Sequence, residues 1–312
     1  MSTIDRFIAD IFEQRANTIR KAKPIVDKNV VDVLTGVNLF NSSSDNPLVF
    51  DQAEFKKTYH DWILSSKLFK IHGLDSFEHR YITNGVTEAF NDFYYLNKKI
   101  YVLHGEYNYH DDLGITVLQD IKHIPSYSAL IVSYPFSASG NVHKDWNSII
   151  ETCEERAIKV FIDCCFFGIA AVQDLDLSSE SITHVAFSLS KSFSTGGIRT
   201  GILYSRHNNN TPLRVQDRHW YTQMAGQSFH SELMQNFDPD YIYNKYRETQ
   251  LEVCKDFDIT PSDTVIFGIS DSKEHKYFDR GGYTNRMCIS YALQEFKNDL
   301  TSETKNANRP ET

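Results

Sequence analysis

Short apolar runs alternate with helix-spaced segments between residues 79 and 206, and this alternation constrains the fold more than any other feature of the chain. The apolar runs are RYIT (80–83), IYVL (100–103), ALIVSY (129–134), KVFID (159–163), HVAFSLS (184–190) and GILYS (201–205). Between them, apolar residues recur at i, i+3, i+4 and i+7 around 86–93 and 146–153. Unbroken apolar strands are typical of sheets that are covered on both faces. The pattern predicts an α/β layer fold with a mainly parallel sheet.

The whole chain is predicted to divide into four segments. Residues 1–46 form an N-terminal helical arm and linker, 47–215 the large domain, 216–297 a small α+β domain, and 298–312 a polar, disordered tail. The arm is predicted to be helical because its apolar residues share one face. That face comprises Ile4, Phe7, Ile8 and Ile11.

Composition excludes several classes of protein. The 312 residues carry a formal net charge of −9, which argues against a nucleic-acid binder that tracks phosphates with basic residues. No stretch approaches the roughly 18 apolar residues of a membrane span. Acidic residues interrupt the N-terminal segment, and the five cysteines lack a paired spacing. We therefore expect a cytoplasmic protein without nucleic-acid or membrane partners.

The segment SLSKSFSTGGIRTG (188–201) places a lysine after an apolar strand, among hydroxyls, glycines and an arginine. One interpretation is a serine hydrolase with Ser188 as nucleophile and Lys191 as base, and a Ser44-Asp45-Asn46 triplet would suit it. However, the triplet lies upstream and no Lys-Thr-Gly follows. A second interpretation is an ordinary polar loop. The third is a lysine that forms an imine with pyridoxal 5′-phosphate (PLP).

The spacing of Ser188, Lys191, Arg199 and Gly201 resembles that of the fold-type I PLP-dependent enzymes of the class I/II aminotransferase (aspartate aminotransferase-like) family. The resemblance implies a three-layer α/β/α large domain with a small α+β domain. It also implies that Lys191 binds the cofactor covalently, while Ser188 and Arg199 contact its phosphate.

Other residues match the landmarks of this family in chain order. The resemblance implies that Asn84, Gly85 and Val86 form the phosphate cup, at a turn between a strand and a helix. It implies that Tyr107 stacks on the pyridine ring. It further implies that Asp163 pairs with the ring nitrogen and keeps it protonated, which makes the ring an electron sink.

Three further positions bear on substrate and chemistry. Ser137 stands where the family has an asparagine that contacts the phenolic oxygen, and Phe166 replaces the usual tyrosine. Arg286 matches the arginine that binds the α-carboxylate of an amino acid. His104-Gly-Glu106 is also compatible with the start of a zinc-deaminase motif, but the required Pro-Cys-x-x-Cys is absent, so we expect no metal site.

The resemblance implies an aminotransferase that moves an amino group between an amino acid and a 2-oxo acid through a Lys191 imine. A lyase, decarboxylase, racemase, cyclase or oxidase acting at the α- or β-carbon is the alternative, because one scaffold supports all of them. A non-catalytic binding protein is less consistent with Lys191, Asp163 and Arg199 occurring together. The resemblance also implies a homodimer.

Overall fold

The computed structural model describes residues 21–37, 51–281 and 284–294. Three features predicted from the sequence lie outside these ranges: the opening helix with Ile4, Phe7, Ile8 and Ile11, the Ser44-Asp45-Asn46 triplet, and the tail 298–312.

The described chain contains a central seven-stranded sheet. In chain order its strands are β2 (His79–Thr83), β3 (Ile100–Leu103), β4 (Thr116–Leu118), β5 (Ala129–Ser133), β6 (Lys159–Cys164), β8 (Ile182–Ser188) and β9 (Gly201–Ser205). In space their order is β2-β9-β8-β6-β5-β3-β4. Strand β9 runs antiparallel to both of its neighbours, whereas the pairs from β8 to β4 are parallel. The mainly parallel sheet is therefore confirmed. Strand β4 was not predicted from the sequence, because its three residues are too short a run to give an apolar pattern.

Helices and two small sheets surround the central sheet. The helices are α1 (Lys28–Gly36), α2 (Gln52–Leu64), α3 (Val86–Leu96), α4 (Tyr109–Asp112), α5 (Trp146–Glu155), α6 (Pro212–Arg218), α7 (Met224–Asn236) and α8 (Tyr241–Asp256). Short 3-10 helices cover 74–76, 121–123 and 273–278. Strands β1 (Phe69–His72) and β7 (Val172–Asp176) pair in parallel, and β10 (Thr260–Pro261), β11 (Phe267–Ser270) and β12 (Asn285–Cys288) form an antiparallel sheet. The boundary predicted at residue 215 falls inside α6, and the division into domains stays a prediction.

Alternate residues of the central strands enter two separate apolar clusters. On β6, Phe161 packs on one face of the sheet with Phe90 and Phe93 of α3, whereas Ile162 packs on the other. The second face is covered by Ile63 of α2 and by residues of α5. Because helices cover both faces, the predicted three-layer α/β/α arrangement is confirmed. None of the described helices has the length and apolarity to cross a membrane.

Aspartates begin two of the helices by accepting hydrogen bonds from their first backbone N–H groups. Asp51 accepts from the N–H groups of Ala53 and Glu54 at the start of α2. Asp27 caps α1 in the same way and is also bonded to Lys245 and Tyr246 of α8. The second set of contacts fastens the segment that enters α1 to the C-terminal part of the chain.

Candidate active site

The carboxyl ends of the parallel strands meet at one edge of the sheet, which is where α/β folds bind ligands. Strands β5, β6 and β8 reach this edge near Ser133, Asp163 and Ser188. Strand β9 starts there, and its first residue, Gly201, is the pairing partner of both Ser188 and Thr83. A cavity of about 720 Å³ opens at this edge.

Lys191 and Asp163, whose proximity the predicted chemistry requires, both line this cavity. Burial raises the pKa of Asp163 to about 7, while its hydrogen bond from the Cys165 N–H (2.8 Å) and the positive charge of Lys191 lower it. Burial lowers the pKa of Lys191, so the neutral amine is more accessible there than in water. The Lys191 amine donates to the carbonyl oxygen of Ala22 at 2.6 Å.

Arg199 joins the candidate phosphate cup to the rest of the site. Its guanidinium donates to the carbonyl oxygen of Asn84 (2.9 Å) and to the hydroxyl of Thr87 (2.6 Å). Gly85 lies against the same guanidinium with a φ of +77°, and a Cβ on it would come within 2.7 Å of Arg199 Nη2. Val86, at the first position of α3, lines the cavity. A cradle that only glycine fits, beside an arginine and a helix N-terminus, suits a phosphate group.

The serines of the 188–191 segment bond to each other rather than to the lysine. Ser188 Oγ donates to Ser190 Oγ (2.9 Å) and also contacts the carbonyl oxygen of Thr200 (3.4 Å). A serine hydrolase needs a hydrogen bond from nucleophile to base. In the described structure Ser188 and Lys191 make no such bond, because the Lys191 amine points to Ala22. Ser188 and Ser190 both line the cavity, near Arg199.

Tyr107, Ser137 and Phe166 form further parts of the cavity wall. Tyr107 is 45% exposed, and its ring stacks at 5.9 Å on that of Tyr109. Ser137 is buried in the turn after β5, and its N–H donates to Ser133 Oγ at 2.9 Å. Phe166 is buried edge-on against Phe267, with ring centroids 5.3 Å apart.

Arg286 is fully buried on β12 and reaches into the same cavity. Its guanidinium donates to the carbonyl oxygen of Ser137 and lies over the ring of Phe267, 4.2 Å from the ring centre. Burial and the neighbouring charge of Arg280 lower the Arg286 pKa to about 9. An anionic ligand would relieve this electrostatic cost.

Several residues of the cavity were missed by the sequence analysis. The segment Lys21–Pro24 lines it, together with Cys165, Ser190 and Arg280. Arg280 donates to Asn108 Oδ1 at 3.0 Å, next to Tyr107. No local pattern indicates residues 21–24, because their place in the site depends on contacts such as that between Lys191 and Ala22, 169 positions apart.

Two buried titratable residues flank Tyr107. Glu106 accepts hydrogen bonds from the N–H (2.7 Å) and the hydroxyl (2.5 Å) of Ser133, and burial raises its pKa to about 7. His110 lies 2.5 Å from the hydroxyl of Tyr94, and burial lowers its pKa to about 4. Among the described residues, no three His, Cys, Asp or Glu side chains cluster as metal ligands.

Comparison with known proteins identifies relatives of this architecture. A family model described as aminotransferase class I and II matches residues 105–252. No curated protein sequence matches the chain significantly. Similar solved structures include the PLP-bound C-S lyase from Staphylococcus hominis, at 11% identity and a TM-score of 0.62, covering 96% of both chains.

Aminotransferase structures are equally similar. A PLP-bound putative aminotransferase from Clostridium difficile 630 is 12% identical, with a TM-score of 0.63 and 89% of both chains covered. A double mutant of Thermus thermophilus aspartate aminotransferase is 12% identical, with a TM-score of 0.59, covering 96% of this chain and 95% of the other. The family model matches the middle of the chain, and the chain shares its fold along its length with these PLP-dependent enzymes.

Proposed function

We propose that this protein is a PLP-dependent enzyme that acts on amino acids, with Lys191 as the residue that binds the cofactor covalently. The observation that carries the proposal is that Lys191, Asp163, Arg199 and Arg286 line one cavity at the carboxyl edge of the sheet. When bound, PLP supplies an electron sink for a carbanion at the α-carbon of an amino acid.

The residues of the cavity fit this cofactor. Arg199, Ser188 and the turn at Gly85 would hold the phosphate, and Tyr107 would cover the ring. Asp163 would face the ring nitrogen. Its carboxyl is costly to bury alone, so a cationic partner would stabilise its ionised form. Ser137 would contact the phenolic oxygen as a hydrogen-bond donor.

The chain itself supplies orientation and proton transfer. Arg286 would bind the α-carboxylate with its planar fork and so hold the α-carbon against the lysine. Lys191 would then take the α-proton on Nζ and return it to a neighbouring carbon. This role requires the neutral amine, and burial lowers the Lys191 pKa in that direction.

Within this class we propose transamination between an amino acid and a 2-oxo acid. Cleavage at the α- or β-carbon is the second candidate, because the similar structures include a C-S lyase and because Phe166 and Ser137 alter the contacts to the phenolic oxygen. Incubation with amino acids and 2-oxo acids separates the two. Exchange of amino groups supports transamination, whereas release of ammonia, carbon dioxide or sulfide supports the alternative.

Replacement of the lysine tests the proposal as a whole. We expect Lys191→Ala to retain its circular dichroism spectrum and lose turnover by several orders of magnitude, as for other covalent catalysts. Lys159→Ala, at the opposite end of β6, is the control and should remain active. A purified wild-type protein that stays colourless with added PLP, and is not labelled at Lys191 on borohydride reduction, would contradict the proposal.

The charges of the cavity also favour a class of substrate. Lys191 and Arg199 are assigned to the cofactor, and Arg286 to the α-carboxylate. Three further basic residues line the cavity, Lys21, Lys23 and Arg280, compared with one further acidic residue, Asp112. This excess of positive charge would stabilise a second anionic group on the substrate. We therefore propose that amino acids with an acidic side chain are preferred.

We further propose a cytoplasmic homodimer. All five cysteines are free, in keeping with a reducing compartment. The dimer is proposed by analogy with the family, and sedimentation as a monomer at micromolar concentration would contradict it.

A further inference from the structure

Glu106 is a buried carboxyl group with no role in the mechanism proposed above. Only 6% of the residue is exposed, and it immediately precedes Tyr107 in the turn after β3. Burying a carboxyl group costs free energy unless hydrogen bonds compensate for the lost water. Both of its oxygens accept hydrogen bonds from one residue, Ser133, the last residue of β5.

Ser133 passes this connection on to the turn that follows β5. Its Oγ donates to Glu106 and also accepts from the Ser137 N–H at 2.9 Å. The carbonyl oxygen of Ser137 in turn accepts from the guanidinium of Arg286. A continuous chain of hydrogen bonds therefore runs from Glu106 through Ser133 and Ser137 to Arg286.

The far side of this turn has separate anchors. The carbonyl oxygens of Ser139 and Gly140 accept from the hydroxyls of Ser262 (3.0 Å) and Thr264 (2.6 Å). On the near side, the Ser137 N–H is instead bonded to Ser133 Oγ, at the end of β5.

We propose that Glu106 is a positioning residue for substrate binding: by holding Ser133 it fixes the turn that carries Ser137, and thereby the guanidinium of Arg286. Glu106 also belongs to the loop of Tyr107. The same bonds therefore set the spacing between Tyr107, which would cover the cofactor ring, and Arg286, which would bind the carboxylate. The inference rests on the proposed function, in which Arg286 binds the substrate carboxylate.

The test compares four variants of the full-length holoenzyme: Glu106→Ala, Glu106→Gln, Ser133→Ala, and the double variant Glu106→Ala/Ser133→Ala. We expect Glu106→Ala to raise the KM for the amino acid about tenfold with kcat nearly unchanged, because the Arg286 guanidinium is displaced while Lys191 is not. Glu106→Gln should stay near the wild type, since its amide oxygen still accepts from the Ser133 N–H. Ser133→Ala should raise KM like Glu106→Ala, and the double variant should be no worse than either alone.

Asp217→Ala is the matched control. Asp217 is also a buried acid that accepts from a backbone N–H, that of Ile82 (3.1 Å), and it lies outside the cavity. We expect its replacement to lower stability and leave KM unchanged. A Glu106→Ala variant that loses only stability, or a Glu106→Gln variant with the KM of Glu106→Ala, would overturn the proposal. If Glu106→Ala does not fold, Ser133→Ala and Glu106→Gln replace it. A raised KM in Ser133→Ala with a near-wild-type KM in Glu106→Gln supports the proposal, and any other KM pattern overturns it.

A binding measurement separates this inference from the proposed function. Calorimetric titration with succinate reports carboxylate binding without turnover, and we expect about tenfold weaker binding in Glu106→Ala and Ser133→Ala but not in Asp217→Ala. Equal succinate affinity in all variants, or no succinate binding to the wild type, would overturn the inference. Absence of the cofactor absorbance in the wild type would instead contradict the proposed function.

Discussion

At the scale of single residues, Phe166 distinguishes this site from the family pattern, in which a tyrosine is usual at this position. Phe166 lines the cavity with no polar group to offer. We expect Phe166→Tyr to lower the pKa of the visible absorbance of the cofactor-loaded protein by about one to two pH units, because a hydroxyl would stabilise the deprotonated chromophore.

Spectrophotometric titration of both proteins measures this difference. Phe237→Tyr, a buried change outside the cavity, is the control and should not move the transition. A wild-type chromophore that already loses its protonated form below neutral pH would contradict the expectation.

Arg280 is the residue on which the substrate preference depends. We expect Arg280→Gln to reduce kcat/KM for L-aspartate or L-glutamate about 10- to 100-fold, because a charge-assisted hydrogen bond is lost, and to leave the corresponding amides within about twofold. Steady-state kinetics on each acid and amide pair measure the effect.

The control for charge alone is Lys273→Gln, an exposed change outside the cavity. Equal losses for acids and amides in Arg280→Gln would contradict the assignment. So would a wild-type enzyme that prefers the amides.

At the scale of elements, the turn between β2 and α3 is the most constrained part of the candidate phosphate site. Gly85 has a positive φ, and its Cα hydrogen faces the Arg199 guanidinium. We expect Gly85→Ala to weaken PLP binding about 100-fold or more, because the new methyl group strains the backbone and displaces the arginine.

Fluorescence titration with PLP measures the affinity. Gly197→Ala provides the control, since a Cβ there meets nothing within 4 Å and the backbone does not require glycine. A Gly85→Ala variant with unchanged affinity would remove this turn from the phosphate site.

The order of the strands also decides which residues meet. Ser133 and Asp163 lie side by side because β5 pairs with β6, and Thr83 meets Ser188 across Gly201 because β9 separates β2 from β8. The apolar runs predicted the existence of these strands. They did not indicate the order of the strands, because an apolar run does not specify which other run it pairs with.

At the scale of the whole molecule, the buried acids make stability depend on pH. Burial raises the pKa values of Asp163 and Glu106 to about 7, above those of the unfolded chain. Between pH 4 and pH 7 the folded state therefore binds more protons than the unfolded state, and the contribution of these groups to stability falls as pH rises.

We therefore expect cofactor-free Asp163→Asn to gain stability relative to the wild type as pH rises from 4 to 7, by up to ~4 kcal/mol, and to keep that gain above pH 7. Urea unfolding at a series of pH values measures the difference. Buried histidines such as His110 have a lowered pKa, so their contribution to stability rises with pH. This contribution is the same in both proteins and cancels in the difference.

Asp61→Asn is the control, because a hydrogen bond from Lys57 lowers the pKa of Asp61, so no such gain is expected. A difference between Asp163→Asn and the wild type that is constant with pH would contradict the prediction.

The sequence by itself determined the layer fold and carried the resemblance to the family. Six of the seven central strands and the helices around 86–93 and 146–153 follow from apolar periodicity, because burial on one or two faces leaves a local pattern. The spacing from Ser188 to Gly201 likewise lies within one segment, so the resemblance to the family could be recognised before any tertiary contact was known.

Only the tertiary structure decided which distant residues complete the cavity. The contact of Lys191 with Ala22, and the chain from Glu106 through Ser133 and Ser137 to Arg286, consist of single hydrogen bonds between residues up to 169 positions apart. Glutamate, serine and alanine in turns are common and carry no periodic signal. Their roles arise from the pairing of strands and from hydrogen bonds across the cavity, which depend on the packing of the whole chain.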